Sequence, residues 1–236
     1  MTTGLTYVRG RTASDTTETG AVPRVASPFA DFLGARVEEG TTNVLTNPSA
    51  ELDLATISHT GVVTTRVAAA AVHGSYGFRT TCSAGSASSR YMHHVSGPAT
   101  SMGQAWTITA YVRRGNHQWV EFGDAGHSSW HSSTFDVLNG VVGTTHGSVT
   151  AASIVSAAGE RFPDGTVVPA GWWKLTVSLV TSSAANLRPM IGFCANSASF
   201  ANGYAGAGTE YVDSDAWQAE QRAYATSYCD GSLGDG

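Results

Sequence analysis

The chain is short of charge, of cysteine and of long apolar runs. Charged residues make up 13% of its 236 positions, and its 13 basic residues include a single lysine, Lys174. A disordered chain of this length would be rich in charge, so thin charge beside 42% hydrophobic residues points to a folded chain. A net charge of −5 speaks against a nucleic-acid partner, which would call for a basic face. The three cysteines, Cys82, Cys194 and Cys229, are odd in number and far apart. That spacing supports neither a disulfide framework nor a zinc site, and free buried thiols are expected. No run reaches the ~18 apolar residues of a membrane span. The opening MTTGLTYVRGRTASD lacks the apolar stretch and cleavage pattern of a secretory signal. A soluble chain with no membrane insertion is expected.

Catalytic patterns are missing as well. There is no G-x-x-x-x-G-K, no G-x-S-x-G and no H-E-x-x-H, so phosphate-loop, nucleophile-elbow and zincin chemistry have no foothold. His127 and His131 lie four apart in HSSWH, but two ligands without a third do not make a metal site. His93 and His94 are adjacent. On a strand they point to opposite faces and cannot share an ion, and they are expected as surface or groove histidines. Asp213 and Asp215 in YVDSDAW share one strand face. They are weak candidates for a calcium ion, or for a glycosidase acid and base. A solvated face is the plainer expectation. Asp124 in GDAGH is a lone carboxylate. No nucleophile, base and oxyanion donor come together, so no enzyme is expected.

What the chain does have is glycine, 27 of them, and aromatics, with six tryptophans and eight tyrosines. In WTITAYVRR, Trp106, Ile108, Ala110 and Val112 share one face. In GWWKLTVSLVTS, Trp173, Leu175, Val177 and Leu179 do the same. Such alternation marks half-buried strands. Shorter candidates are GVVTTRVAAAAV, YGFRTTCS, SSRYMHHVS, QWVEFGD, STFDVL and LRPMIGFCAN, separated by turn-forming clusters. About ten short strands without a long amphipathic helix predict an all-β, jelly-roll-like sandwich of two sheets. Residues 1–42 are polar and lack a steady period, and read as an extended N-terminal arm that anchors the chain or assists assembly. Residues 43–228 carry the sandwich, and 229–236 a tail or linker.

Trp173 is in register with Leu175 and Val177, and is expected in the core. Trp172 then faces the other way. Trp119 opposes Val120 and Phe122, and Trp130 lies in a Ser- and His-rich loop. With Asp124 and His131 nearby, Trp119, Trp130 and Trp172 are the candidates for contact with a glycan or a partner, because aromatic faces serve both.

The stretch DAWQAEQRAYATSY, 215–228, is open to two readings. Trp217, Gln221, Tyr224 and Tyr228 fall at helical spacing, whereas the preceding GTEYVDSDAW alternates as a strand.

Two segments carry a resemblance. LTYVRGRTASDTTETGAVPRV and ARVEEGTTNVLTNPSAE, with Pro23-Arg24, Glu39, Thr41-Thr42-Asn43 and Asn47-Pro48-Ser49, resemble the opening of bacteriophage minor tail and related virion proteins. NVLTNPSAE also looks like the first strand of carbohydrate-binding-module-like jelly rolls, where an Asn-Pro turn (Asn47, Pro48) precedes an acidic residue, Glu51. The closing Trp217-Gln218-Ala219-Glu220 is similar to the final strand of these sandwiches, with an extended exit to Tyr228, which favours the strand. The resemblance implies a virion structural protein of the tail tip or baseplate, among other virion proteins. It implies homo-oligomers with trimers favoured, and attachment to a host cell-surface glycan. A capsid decoration or a free carbohydrate-binding module are the alternatives.

Overall fold

The computed structural model describes residues 43–229, apart from 87, 88, 96, 129, 202 and 203. The expected arm, and all of the expected tail but Cys229, lie outside the described residues. Among the described residues, sixteen strands run in chain order. They are β1 (Ile57–Thr60), β2 (Val62–Val67), β3 (Gly77–Cys82), β4 (Gly85–Ser86), β5 (Tyr91–His94), β6 (Ala99–Thr100), β7 (Ala105–Arg114) and β8 (Trp119–Asp124). There follow β9 (His131–Asp136), β10 (Val141–His146), β11 (Val149–Ser156), β12 (Trp172–Val180), β13 (Ala185–Asn186), β14 (Pro189–Phe193), β15 (Ala205–Gly206) and β16 (Tyr211–Glu220).

Twelve of these build two six-stranded sheets. The first has the order β1-β5-β14-β8-β9-β10 and the second β11-β12-β7-β16-β3-β2, with every pairing antiparallel. The chain is an all-β, two-sheet sandwich. Alternation dictates what fills it. Val120 and Phe122 from β8, Phe135 from β9, Ile191 and Phe193 from β14 meet Ile108, Leu175, Val177 and Trp217 from the second sheet. Each large aromatic buried there removes some 150–250 Å² from water, worth a few kcal/mol at about 25 cal/mol per Å².

The last strand settles the two readings of 215–228. Residues Tyr211–Glu220 are strand, and 221–229 leave it without regular structure. A bulge sits between Asp215 and Gln218, and Ala216 takes φ 47° there. The extra residue reverses the alternation. Val212 points inward before it and Trp217 and Ala219 after it, while Asp213, Asp215, Gln218 and Glu220 all face out.

Two expectations about local structure need correcting. NVLTNPSAE is not a strand, since none of the residues 43–56 lies in one. Asn47 and Ala50 adopt φ of 61° and 56°, which breaks an extended run. The segment is held by side chains instead. Asn43 Nδ2 donates to the Trp217 carbonyl at 2.7 Å and its Oδ1 accepts the Ala219 N–H at 3.1 Å. The Trp217 N–H donates to the Pro48 carbonyl. Ser49 and Tyr228 share a 2.9 Å hydroxyl hydrogen bond. The second correction concerns the alanines of VAAAAV, where β2 ends at Val67 and Ala68–Ala70 form one 3-10 turn.

Candidate functional site

The outer faces of the two sheets differ in what covers them. On the second sheet, Trp172 is only 1% exposed. It joins Tyr111, Phe162, Val168 and Tyr228 in a separate apolar cluster. This overturns the expectation that Trp172 is an exposed contact residue. Its direction is as alternation requires, away from Trp173, but the 157–168 segment folds over it. Trp173 packs on the main core and is half-buried, with its indole N–H donating to the Val137 carbonyl at 2.9 Å.

Asp213 and Asp215 share that face. Asp213 lies between two guanidiniums, Arg79 Nε at 2.8 Å and Arg113 Nη2 at 2.6 Å. Asp215 accepts the N–H groups of Val72, His73 and Ala216 at 2.5, 2.8 and 2.7 Å. Burial pushes the Asp215 carboxyl well up, against the pull of those donors. Neither is the solvated residue the sequence suggested. The described residues hold no group of three His, Cys, Asp or Glu side chains placed for one metal ion. Gln218 and Glu220 hold the exit. Gln218 Nε2 donates to the Ser227 carbonyl and its Oε1 accepts the Cys229 N–H. Glu220 accepts from the N–H and hydroxyl of Thr226. Asn47 turns its own loop through the Leu52 N–H and the Asp53 carbonyl. Glu51 accepts the Ser75 and Tyr76 N–H groups.

The first sheet leaves aromatics half-open on its outer face. Tyr91 of β5 and Trp130, just before β9, meet edge to face with ring centroids 4.8 Å apart. Both are partly exposed. Three strand spacings of about 4.8 Å separate β5 from β9. On the intervening strands, Gly192 of β14 lies opposite Tyr91 and Gly123 of β8 lies opposite Ser132. His93 lies 5.5 Å from Tyr91, ring to ring. Burial lowers its pKa, and the nearby Arg188 charge adds to that. Gly147 lies against the Trp130 carbonyl, and its neighbour His146 lies 4.9 Å from Phe200, ring to ring, with the planes tilted by 38°.

The segment after β14 walls this patch. Ala201 donates its N–H to Glu121 at 2.6 Å, and Ser197 accepts the Thr134 hydroxyl at 2.7 Å. Trp119 is also half-exposed on the outer face, beside Gly143 of β10. Tyr91, His146 and Phe200 were missed in the sequence because none stands in a strongly alternating run. The only available signal was their shared face, which needs the strand order.

Asp124 and His131 do not reach the patch. They oppose one another across β8 and β9 at the end of the sandwich, both buried, which corrects their assignment as contact residues. His127 Nδ1 donates to Asp124 at 2.5 Å. The Thr100 hydroxyl lies within hydrogen-bond distance of both the Ala185 carbonyl, at 2.9 Å, and His127 Nε2, at 3.2 Å. The hydrogen bond to Asp124 raises the pKa of His127. His131, 5.1 Å away ring to ring, accepts the Ser148 N–H on Nδ1. It gives its one proton to Ser182. Burial and the His127 charge lower its pKa. His94 corrects a further expectation. It faces into the core, fully buried, with neither ring nitrogen partnered, and burial drives its pKa down to about 3.

No known protein-family pattern matches the chain, and no curated protein matches it. Solved structures similar to it include the CBM22-1 and GH10 modules of a Clostridium thermocellum endo-1,4-beta-D-xylanase complexed with xylohexaose. That comparison gives 12% identity and a TM-score of 0.45, over 80% of this chain and 30% of that one. A family 16 carbohydrate-binding module gives 12% identity and a TM-score of 0.39, over 75% and 96% of the two chains. An exo-beta-agarase gives 9% and 0.31, over 79% and 25%. The chain thus spans under a third of the xylanase chain it resembles. Likeness at this level carries nothing about the chemistry of this chain.

Proposed function

We propose that this sandwich is a non-catalytic binding module whose ligand is a glycan, taken up on the outer face of the first sheet. One observation carries the reading, the half-exposed Tyr91–Trp130 pair on the outer face of the first sheet, where Trp119 is half-exposed as well. A pyranose has an apolar C–H face that stacks on an indole or phenol ring, and its hydroxyls need hydrogen-bonding groups at the rim. Arg188 and His146, both exposed, supply such groups. Nothing at the patch pairs two carboxylates at glycosidase spacing, so binding without hydrolysis is the activity proposed.

We further propose that the module serves attachment within a virion tail, a setting suggested by Pro23-Arg24, Glu39 and Thr41-Thr42-Asn43. The described segment supports a tethered module in one respect. Asn43 Nδ2 donates to the Cys229 carbonyl at 3.0 Å, so the sandwich begins and ends at one place.

Binding is tested by titrating the full chain with a panel of oligosaccharides and following tryptophan fluorescence. A quench or shift is expected for at least one sugar. Trp130→Ala and Tyr91→Ala should each weaken it by about tenfold or more, the loss of roughly 1.4 kcal/mol of aromatic contact. Binding that survives both changes places the ligand elsewhere. Immunolabelling of phage particles tests the setting, and absence of label from particles argues for a free module.

A further inference from the structure

We infer that β11 is a self-association edge, along which a second copy of this chain adds antiparallel to extend the second sheet. Each sheet of an open sandwich ends in strands with unpaired N–H and C=O groups, and folded chains normally guard them. Three of the four edges here carry a guard. β1 has only four residues. β10 is interrupted by an irregularity between Val142 and Thr145. β2 carries Arg66, whose guanidinium reaches the Ala50 and Glu51 carbonyls beside the strand.

β11 is different. Past its bulge, Ala151 to Ser156 pair with β12 in unbroken register. Its exposed side chains are Thr150, Ala151, Ser153, Val155 and Ser156. It has no proline, no lysine and no charge, and no charged residue occurs anywhere from Val137 to Gly159.

The direction of its backbone groups follows from the ladder. Ala157 donates its N–H to the Trp172 carbonyl, so Ala157, Val155 and Ser153 turn toward β12. In an antiparallel ladder the alternate residues turn away, which leaves the N–H and C=O groups of Ala152, Ile154 and Ser156 on the open side. A two-fold axis through Ser153 satisfies them. Ala152 then exchanges hydrogen bonds with Ile154 of the second copy, and Ser156 lies opposite its Thr150. The same register keeps faces matched. Ile154, packed on the main core, meets Ala152 of the second copy on the inner side, and Val155 meets its Ala151 on the outer.

The occupant is a second copy on grounds of charge and symmetry. The edge carries no charge of its own, so two copies meet along it without like charges opposed, and the two-fold register sets its own small and apolar residues against one another. Small side chains opposite one another let identical strands close up.

Sedimentation of the full chain from about 1 to 100 µM tests this, with Ser153→Lys, Ser153→Glu and an equimolar mixture of the two. The 1–100 µM window spans the affinities expected of modest interfaces. Ser153 is exposed, so each variant should keep the wild-type melting temperature. The wild type is expected to form dimers. Either variant alone should weaken dimerisation by about tenfold or more, because like charges face each other across the axis. The mixture should restore it. Val155→Lys provides a second, off-axis disruption. A wild type that stays monomeric overturns the proposal, and protection of the Ile154 amide from hydrogen exchange in such a monomer would show the chain's own residues covering the edge. Dimers or trimers indifferent to all three substitutions overturn it as well.

Discussion

The two outer faces of this sandwich use the same materials to opposite ends. On the second sheet, Trp172, Tyr111 and Tyr228 lie under the 157–168 segment, Arg113 spans the Trp172 ring at 5.0 Å and Arg79 that of Tyr211 at 4.1 Å. Asp213 ties both arginines down. On the first sheet, Tyr91 and Trp130 touch one another and remain partly open. An aromatic on a sheet face is therefore a stability element or a recognition element according to what lies over it, and residue type does not decide which.

Substitution breaks or sharpens that contrast. Trp172→Ala should cost about 3–5 kcal/mol, the range for removing a fully buried large aromatic, read as a fall in denaturation midpoint. A cost under about 1 kcal/mol would mean that the second face is as open as the first.

The inner side of the first sheet gives the next effect. His94 is held near pKa 3 against about 6.5 in an unfolded chain. The unfolded state therefore binds more protons between those values, and stability present above pH 6.5 is lost as pH falls toward 3. At about 1.4 kcal/mol per unit the loss attributable to this ring reaches about 3 kcal/mol by pH 4. His94→Leu should flatten that slope, measured by urea unfolding at several pH values. His127 acts with the opposite sign. Its pKa is raised, so its contribution is full below about pH 6.5 and is lost as pH climbs through the folded value. His127→Gln should remove that alkaline limb.

Asp213→Ala leaves two arginines facing each other. A buried pair broken from one side costs about 3–5 kcal/mol, but these guanidiniums are 29% and 33% exposed, so about 1–2 kcal/mol is expected after solvent screening. The smallest effect belongs to the open face. Trp130→Ala should change stability by less than about 1 kcal/mol, as for partly exposed positions generally, while weakening any glycan binding by about tenfold or more.

Much of the fold was legible because β7 and β12 each alternate cleanly, and one face of each had to be apolar. β10 and β11 were not legible, since VVGTTH and VTAASIVS alternate weakly and half-face water. The reversal in β16 was hidden too. Reading YVDSDAWQAE with an even period puts Trp217 on the face of Asp213 and Asp215, and only the bulge at Ala216 sends it into the core. Of the proposed patch, Trp130 was singled out in advance and Tyr91 was not. Their meeting depends on an order of strands that are distant in sequence.

By itself the sequence determined the all-β class, the inward set of the strongest strands and the opposed directions of Trp172 and Trp173. All three follow from the two-residue period of an extended chain. Only the tertiary structure decided which outward aromatics are covered, which carboxylates meet arginines and which histidine sits in the core. Those depend on loops and strand order that bring residues together from more than a hundred positions apart, as Arg79 and Asp213 are. No local pattern encodes such neighbours.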